Sequence, residues 1–201
     1  MPRVTNEYRD AKRAEIARAA LACIQRNGFA RTTMADIIAE SGASAGSIYS
    51  HFSGKADIAR FVAERVVGGQ VGALTERALT DPTMGPLDAV AFILQGLRAQ
   101  MIPIEVILQL WAESTIDPDM GEIAGQRLQQ LREGMRVAVT PWARRSSVDE
   151  SAAGALAESA AQSMLSLCQG YVVTCAMAGA IDPRTYVDGI AALTGSNMWR
   201  G

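Results

Sequence analysis

Three side chains that could do chemistry lie within one short segment of the chain: Tyr49, His51 and Lys55. His51 is the single histidine of the sequence, and small residues precede the group while a Gly-Lys pair follows it. An imidazole, a phenol and an ammonium group can serve acid–base catalysis, take part in a metal site or bind phosphate groups. The pattern around them decides which of these kinds of site to expect.

Catalysis and metal binding find little support in that pattern. A Walker phosphate-binding loop needs a glycine five residues before Gly54, where Tyr49 stands, and it follows a strand rather than a helix. One histidine and three dispersed cysteines do not give the ligand spacing of a zinc site. We do not predict a catalytic triad around His51. We therefore predict that the protein is not an enzyme, holds no metal and needs no cofactor.

The charge distribution instead favours a polyanion as partner. Residues 1–60 carry nine Lys and Arg residues against six Asp and Glu residues, whereas the rest of the chain is acidic. A basic region on an acidic body is suited to phosphate groups, although a difference of this size is weak by itself. No apolar stretch reaches the roughly 20 residues that a membrane-spanning helix needs, so we predict a cytoplasmic protein.

Helices must position the cluster. Helix-forming residues dominate, and no long stretch alternates with a period of two residues, so we predict an all-α protein. We expect Pro141 to end the seventh helix, and Ser147 with Glu150 to form the capping box of the eighth. The roughly nine predicted helices cover about residues 6–27, 34–41, 45–52, 55–79, 87–101, 104–114, 118–140, 148–178 and 183–195.

Residues 31–57 fit a helix-turn-helix. Two short helices meet at a turn centred on Gly42, and the long first helix can brace them. In this motif the second short helix enters the major groove of DNA with its amino-terminal residues at the base edges. Ile48 and Phe52 are four residues apart and would face the core of this small domain. Tyr49, Ser50 and His51 would then point outward or sideways, and Lys55 would reach a phosphate.

The same residues carry a resemblance to a known family. The chain resembles the DNA-binding domain of the tetracycline-repressor (TetR) family over about a quarter of its length, in the segment IARAALACIQRNGFARTTMADIIAESGASAGSIYSHFSGKADI. The matching features are the Thr32-Thr33 pair, the Gly42-x-Ser44 turn, the Tyr49-x-His51-Phe52 group and Lys55. Ala43 and Ile38 depart from the family pattern, and both positions concern packing.

This resemblance implies phosphate contacts through Tyr49 and His51, and base contacts near Gly46, Ser47 and Ser50. The alternatives stay open that Tyr49 and His51 are core residues and that Arg31 is simply solvated. We expect residues 1–54 to form the DNA-binding domain and residues 55–201 the effector-binding and dimerisation domain. The full set expected at the DNA is Arg31, Thr33, Ser44, Ala45, Gly46, Ser47, Tyr49, Ser50, His51 and Lys55.

The family further implies a homodimeric regulator, most simply a repressor that a small, largely apolar effector releases from a palindromic operator. The alternative is a DNA-bound interaction protein of the same fold whose partner is another protein. Adaptable apolar side chains are candidates to line an effector cavity, although each could be ordinary core. These candidates are Phe92, Met101, Leu110, Trp111, Met135, Met164, Cys168 and Tyr171.

The eighth predicted helix carries a face of small and apolar residues at alternating spacings of four and three. Such a face suits close packing against a symmetry mate, so we predict that the eighth and ninth helices form the dimer interface. The residues expected there are Leu156, Ala160, Ser163, Leu167, Gly170, Thr174 and Met177.

Overall fold

The computed structural model describes residues 6–100 and 102–194, and within these ranges the chain forms nine α-helices and no strand. The prediction of an all-α protein is confirmed. The helices are α1 (Asn6–Asn27), α2 (Met34–Ser41), α3 (Ala45–Tyr49), α4 (Lys55–Thr80), α5 (Pro86–Ala99), α6 (Ile104–Ser114), α7 (Pro118–Arg145), α8 (Glu150–Ala178) and α9 (Pro183–Thr194).

Local capping explains where the two short helices begin. Thr33 precedes α2 and Ser44 precedes α3, and each side-chain oxygen accepts a hydrogen bond from the backbone N–H three residues later. Gly42 lies between the helices with a φ of 64°, in the left-handed region where glycine ends a helix without strain. These signals are local, and the helix-turn-helix follows from them.

Two predicted helix boundaries are wrong for local reasons. The α3 helix ends at Tyr49 rather than near Phe52, because the His51 N–H bonds the Ile48 carbonyl three residues back and tightens the last turn. The α8 helix is capped by Asp149 rather than Ser147. The Asp149 carboxylate accepts a hydrogen bond of 2.8 Å from the Ala152 N–H, which is the standard geometry of an N-cap.

The prediction that Pro141 ends α7 is also wrong, since the helix continues to Arg145. Proline removes the hydrogen bond to the carbonyl of Val137, but Val137 is exposed and water can solvate that carbonyl. Trp142 and Ala143 follow the proline and are buried, so the packing of a further helical turn offsets the lost bond.

The chain divides into two packed units. The first comprises the described residues up to Arg65 together with Ile102–Ala124, and so contains α1 to α3, the start of α4, α6 and the start of α7. The α1 helix packs against α2 and α6. A buried cluster joins helices that are distant in the sequence, and it consists of Ile24, Phe29, Ala59, Val106, Met120 and Ile123.

The second unit comprises Val66–Gln100 and the described residues from Gly125 onward. Its central element is α5, which packs against α8 and α9 and buries Val90, Ile93 and Leu94. The buried face of α8 begins with small residues, which let neighbouring helices approach closely. It consists of Ala153, Ala157, Ala160, Ala161, Met164, Leu165, Cys168, Tyr171, Val172 and Cys175.

The predicted division at residue 54 separates the chain by function, and it stays a prediction. The packing divides the chain differently, because α6 and the first turns of α7 belong to the unit that carries the helix-turn-helix. Their apolar residues are buried against α1 and α4. A contact between residues so far apart in the sequence leaves no local pattern.

Candidate nucleic-acid interface

A reciprocal pair of hydrogen bonds fixes the start of α2. The Thr33 N–H and hydroxyl donate to the Asp36 carboxylate at 2.8 and 2.7 Å, and the Asp36 N–H donates to the Thr33 hydroxyl at 3.2 Å. The bond from the Thr33 N–H, followed by that from its hydroxyl, lowers the pKa of Asp36 below its ordinary value. Thr33 is exposed at this helix end, where a phosphate would meet free backbone N–H groups.

The α3 helix has one buried and one exposed face. Ile48 and Phe52 are fully enclosed in the first unit and anchor the segment. The exposed face presents Tyr49, which is 54% exposed, together with Ser50. A Cβ placed on Gly46 would meet no atom within 4 Å, so the start of the helix is open to close approach. The anchor residues thereby set the orientation of the predicted DNA-facing residues.

Most of the predicted DNA-contact residues are exposed. Ser47 and His51 are half-buried, and the Ser50 hydroxyl donates back to the Ser47 carbonyl at 2.7 Å. The Nδ1 atom of His51 is buried and finds no partner among the described residues, so any polar contact of the ring falls to Nε2. The exposed members of the set are Arg31, Thr33, Ser44, Ala45, Gly46, Tyr49 and Ser50.

Gly42–Gly46 also has the G-x-S-x-G spacing of a hydrolase nucleophile elbow. That elbow places its serine between a strand and a helix, whereas here α2 precedes the segment. The Ser44 oxygen accepts a hydrogen bond from the Ser47 N–H at 3.2 Å and serves as the cap of α3. The serine is therefore explained as a helix cap.

Lys55 has a more constrained position than the sequence suggests. Its ammonium group donates to the Phe29 carbonyl at 2.6 Å and to the Thr32 carbonyl at 2.9 Å, and lies 4.3 Å from the centre of the Phe29 ring. Two of its three donors are thus committed to the turn between α1 and α2. Lys55 binds this turn to the start of α4, and one donor is left for the predicted phosphate contact.

No sequence pattern indicated a role for Gln109, which lies on α6. Its side-chain Oε1 accepts a hydrogen bond of 3.0 Å from the Phe29 N–H, so α6 and Lys55 bind the same residue of the α1–α2 turn from two sides. The same is true of Arg13. Its guanidinium lies 4.7 Å from the centre of the Phe52 ring and 4.4 Å from that of Phe61, which secures the end of the α3 segment.

The structure divides the predicted effector residues between the two units. Leu110 and Trp111 lie on α6 in the first unit, and Leu110 packs against the buried cluster there. Met135, Met164, Cys168 and Tyr171 are buried in the second unit, and Met101 lies outside the described residues. Burial raises the pKa of the Cys168 thiol to about 12, and it is the main cause that raises the pKa of Tyr171 to about 12.

A groove of about 520 Å³ opens in the second unit along α4, α5 and α9. Of the predicted effector residues, Phe92 lines it. Its walls are more polar than predicted, because exposed charged and amide groups surround an apolar floor. The lining consists of Arg77, Met84, Leu87, Asp88, Ala91, Phe92, Gln95, Arg184, Val187 and Asp188.

The predicted dimer residues of α8 have mixed surroundings. Met177 is 78% exposed and Ser163 is exposed, whereas Ala160 is buried. A Cβ on Gly170 would lie 3.2 Å from the Tyr186 hydroxyl of α9, and that hydroxyl donates to the Leu167 carbonyl at 3.0 Å. Part of this face is therefore covered by the chain's own α9. The exposed Val173 and Leu193 are further apolar residues on α8 and α9, beyond the predicted set.

Other kinds of site find no support in the described part of the chain. It contains no cluster of three His, Cys, Asp or Glu side chains that could hold a metal ion. No single helix within it is long and apolar enough to cross a membrane.

Comparison with known proteins places the helix-turn-helix in a family. Residues 16–61 match the model of the bacterial regulatory proteins of the tetR family. The chain is 43% identical over 63 residues to the uncharacterized HTH-type transcriptional regulator YfiR of Bacillus subtilis (strain 168). That alignment covers 31% of this chain and 31% of YfiR, so the chain matches about a third of the length of this relative.

Solved structures share the whole fold at low sequence identity. GusR of Salmonella enterica superposes with a TM-score of 0.63 at 19% identity, over 96% of this chain and 99% of GusR. The SmeT–triclosan complex superposes with a TM-score of 0.64 at 22% identity, over 91% of each chain. Identities this low establish the fold alone. The chain therefore carries a helix-turn-helix segment that matches the tetR-family model over residues 16–61, within a fold that these solved structures share.

Proposed function

We propose that the protein is a homodimeric repressor that binds a palindromic operator in the cytoplasm, at the nucleoid, and that a small effector releases it. The observation that carries the proposal is the anchored α3 helix. Ile48 and Phe52 hold it in the unit's core, and Tyr49 and Ser50 are exposed on its other side. Two such helices in a dimer would enter successive major grooves, which requires half-sites about one helical turn apart.

The proposed contacts are of two kinds. Thr33, Tyr49 and the Nε2 atom of His51 would bind phosphate oxygens and fix the register of the protein on the duplex. Ala45, Gly46 and Ser47 at the start of α3 would approach the base edges. Glycine has no side chain and serine discriminates weakly between bases, so much of the specificity would come from the shape of the DNA.

The effector part of the proposal rests on the second unit. The groove of about 520 Å³ has the size of a small-molecule site, which favours a metabolite or drug over a protein partner. SmeT, whose fold is similar, has been solved with triclosan, a small and largely apolar molecule. Because α4 and α7 contribute residues to both units, a ligand in the second could alter the first through these continuous helices.

Release requires that the effector prefer the form that does not bind DNA. A coupling free energy of about 1–3 kcal/mol would weaken operator binding by roughly 5- to 150-fold. The same factor must separate the effector's affinity for the free protein from its affinity for the DNA complex.

The experiment is a selection of binding sites from a random duplex library, followed by anisotropy titrations of the selected duplex at several salt concentrations. We expect a palindrome with half-sites one turn apart, and an affinity that falls steeply with salt. Selection of no palindrome would contradict the proposal. Repeating the titration with triclosan and with a metabolite library tests release. Operator binding that no compound weakens would favour the alternative of a protein partner.

A further inference from the structure

The end of α1 has a backbone N–H whose acceptor lies on another helix. Gly28 has a φ of 81°, which turns the chain out of α1, and the N–H of the next residue, Phe29, donates to the Gln109 Oε1 at 3.0 Å. Phe29 is 6% exposed, so water has little access to this place. A buried N–H without a partner destabilises the fold, and here the partner comes from 80 positions further along the chain.

The buried side of α6 brings Gln109 to this N–H. Val106 is fully enclosed and belongs to the same buried cluster as Phe29, and Leu110 packs against that cluster. Gln109 is three residues after Val106 and thus on the same side of the helix. A Cβ placed on Gly28 would lie 3.8 Å from the Gln109 Oε1, so the side chain lies against the backbone of the turn. The packing of α6 therefore holds this amide over the end of α1.

The turn that Gln109 contacts is short and leads directly to Thr33. The Gly28 carbonyl accepts hydrogen bonds from the Thr32 N–H at 3.1 Å and from the Thr32 hydroxyl at 2.8 Å. The peptide group of this carbonyl also contains the Phe29 N–H, so it is held at one end by Thr32 and at the other by Gln109. The next residue, Thr33, is exposed at the start of α2. A change in the orientation of this peptide group would therefore displace Thr33.

Lys55 cannot replace Gln109 as the acceptor. Its ammonium group donates to the Phe29 and Thr32 carbonyls at 2.6 and 2.9 Å, and a lysine side chain has donors only. The two side chains thus have separate tasks in the turn, since one binds carbonyl oxygens and the other binds an N–H. Removal of the Gln109 amide would leave that N–H without its acceptor while the bonds of Lys55 remain.

We infer that Gln109 is a positioning residue for operator binding, which acts from α6 through the α1–α2 turn on Thr33. The inference rests on the proposed function, in which Thr33 binds a phosphate oxygen. A turn that already has its bound conformation loses less conformational entropy on binding, and a displaced hydroxyl makes a weaker hydrogen bond. Gln109 lies outside residues 16–61, so the operator-binding surface would depend on a residue that the helix-turn-helix segment does not contain.

The first measurement compares two variants that each remove one side-chain acceptor. Gln109→Met keeps the size of the side chain, and we expect it to weaken operator binding roughly 3- to 10-fold. The slope of log affinity against log salt should not change, because no cation is lost. The matched control is Asp149→Ala in the second unit, which also removes an oxygen that accepts from one backbone N–H.

Both variants should lower the melting temperature, and the control should bind the operator as the wild-type protein does. Anisotropy titrations are made at a temperature at which every variant is folded. Operator affinity at the wild-type level in Gln109→Met would overturn the inference. So would an equal loss of affinity in Asp149→Ala, because the effect would then follow from stability.

The second measurement asks whether Gln109 acts through Thr33. Thr33→Val removes the hydroxyl and should weaken operator binding of the otherwise wild-type protein about 5-fold. In the Gln109→Met background the same change should weaken binding less than about 2-fold, because the hydroxyl is already displaced from the phosphate. An equal cost of Thr33→Val in the two backgrounds would overturn the inference, since Gln109 would then have a structural role only.

Gln109→Glu is the conservative variant, because it keeps an acceptor oxygen on a side chain of the same length. The cost of Thr33→Val in this background should return to its wild-type value. A cost that stays as small as in Gln109→Met would overturn the inference, since the acceptor would not be the cause. These outcomes contradict the inference alone, whereas a wild-type protein that selects no operator would contradict the proposed function and the inference together.

Discussion

Each of the two units buries one polar side chain within the described residues, and the two side chains are held in different ways. In the first unit Thr32 is 1% exposed, and its hydroxyl donates to the Gly28 carbonyl at 2.8 Å. In the second unit Gln70 is 6% exposed, and its amide lies so close to Gly96 of α5 that a Cβ there would be 2.6 Å from the Gln70 Oε1. The Thr32 hydroxyl is thus held by a hydrogen bond, whereas the Gln70 amide is held by close packing against a glycine.

In the first unit, the polar groups of the turn between α1 and α2 are also paired by hydrogen bonds. Gln109 binds the Phe29 N–H, and Lys55 binds the Phe29 and Thr32 carbonyls. The polar groups of that turn are thus held by α6 and α4. A surface that must fit a rigid duplex benefits from such fixation, because little conformational entropy is then lost on binding.

The largest effect is expected from a variant that tests whether α8 of the second unit forms the dimer interface. Met177→Asp places a charge on an exposed residue of α8, so the fold of the chain itself should be unaffected. If α8 forms the interface, the variant becomes monomeric, and its operator affinity falls by roughly 100-fold or more because two linked half-site contacts become one. Sedimentation velocity and anisotropy measure the two outcomes.

The matched control is Leu79→Asp, which adds the same charge to an exposed apolar residue of α4 in the same unit. It should remain dimeric. An intact dimer in Met177→Asp would remove the carboxyl-terminal end of α8 from the interface. Gly170→Arg is a less direct probe, since the new side chain would meet Tyr186 of its own chain.

The next largest effect is expected from a variant that tests whether Lys55 stabilises the turn between α1 and α2. Lys55→Met keeps an apolar stem over Phe29 and removes two charge-assisted hydrogen bonds, so we expect a loss of about 1.5–3 kcal/mol in the free energy of unfolding. Urea denaturation measures this loss. If the remaining donor also binds a phosphate, the slope of log affinity against log salt falls by about 0.9 per subunit.

Arg31→Met is the companion variant, because Arg31 is exposed and, among the described residues, its guanidinium donates a hydrogen bond to the Asn27 carbonyl. It should leave the unfolding free energy nearly unchanged and lower the salt slope if it contacts DNA. A Lys55→Met protein of wild-type stability would refute the role of Lys55 in holding the turn.

A smaller effect is expected at Tyr49, whose exposed hydroxyl is proposed to bind a phosphate. Tyr49→Phe removes only that hydroxyl, so operator affinity should fall by about 5-fold, the worth of one hydrogen bond, with no change in melting temperature. Because a phosphate contact carries no sequence information, binding to unrelated duplexes should weaken by the same factor. A loss confined to the operator would indicate a base contact instead.

The smallest effect concerns acid stability in the first unit. The folded protein lowers the pKa of Asp36 through Thr33 and that of Glu40 through Arg26. Their stabilisation is therefore present at neutral pH and is lost as the pH falls through the lowered values. Thermal melts between pH 7 and pH 3 should show a smaller acid-induced drop for Asp36→Asn than for the wild-type protein. Parallel curves would mean that this carboxylate adds no pH dependence.

The amino-acid sequence was sufficient to predict the helix-turn-helix and its exposed residues. The caps Thr33 and Ser44, the left-handed Gly42 and the Ile48–Phe52 pair act within a few residues of one another. The matched family segment lies in the same region. The local sequence was not sufficient to predict the end of α7, because the burial of Trp142 and Ala143 keeps the helix intact beyond Pro141.

Only the tertiary structure decided which distant parts of the chain are in contact. Gln109 meets Phe29 across 80 residues of sequence, and the Gln70 amide lies against Gly96 of another helix. Local periodicity predicts which face of a helix is buried, but it does not specify which helix covers that face or which polar atoms meet there. The sequence by itself therefore determined the exposed residues of the helix-turn-helix, whereas the contacts that Gln109 makes with Phe29 and Gln70 makes with Gly96 arose only from packing between helices.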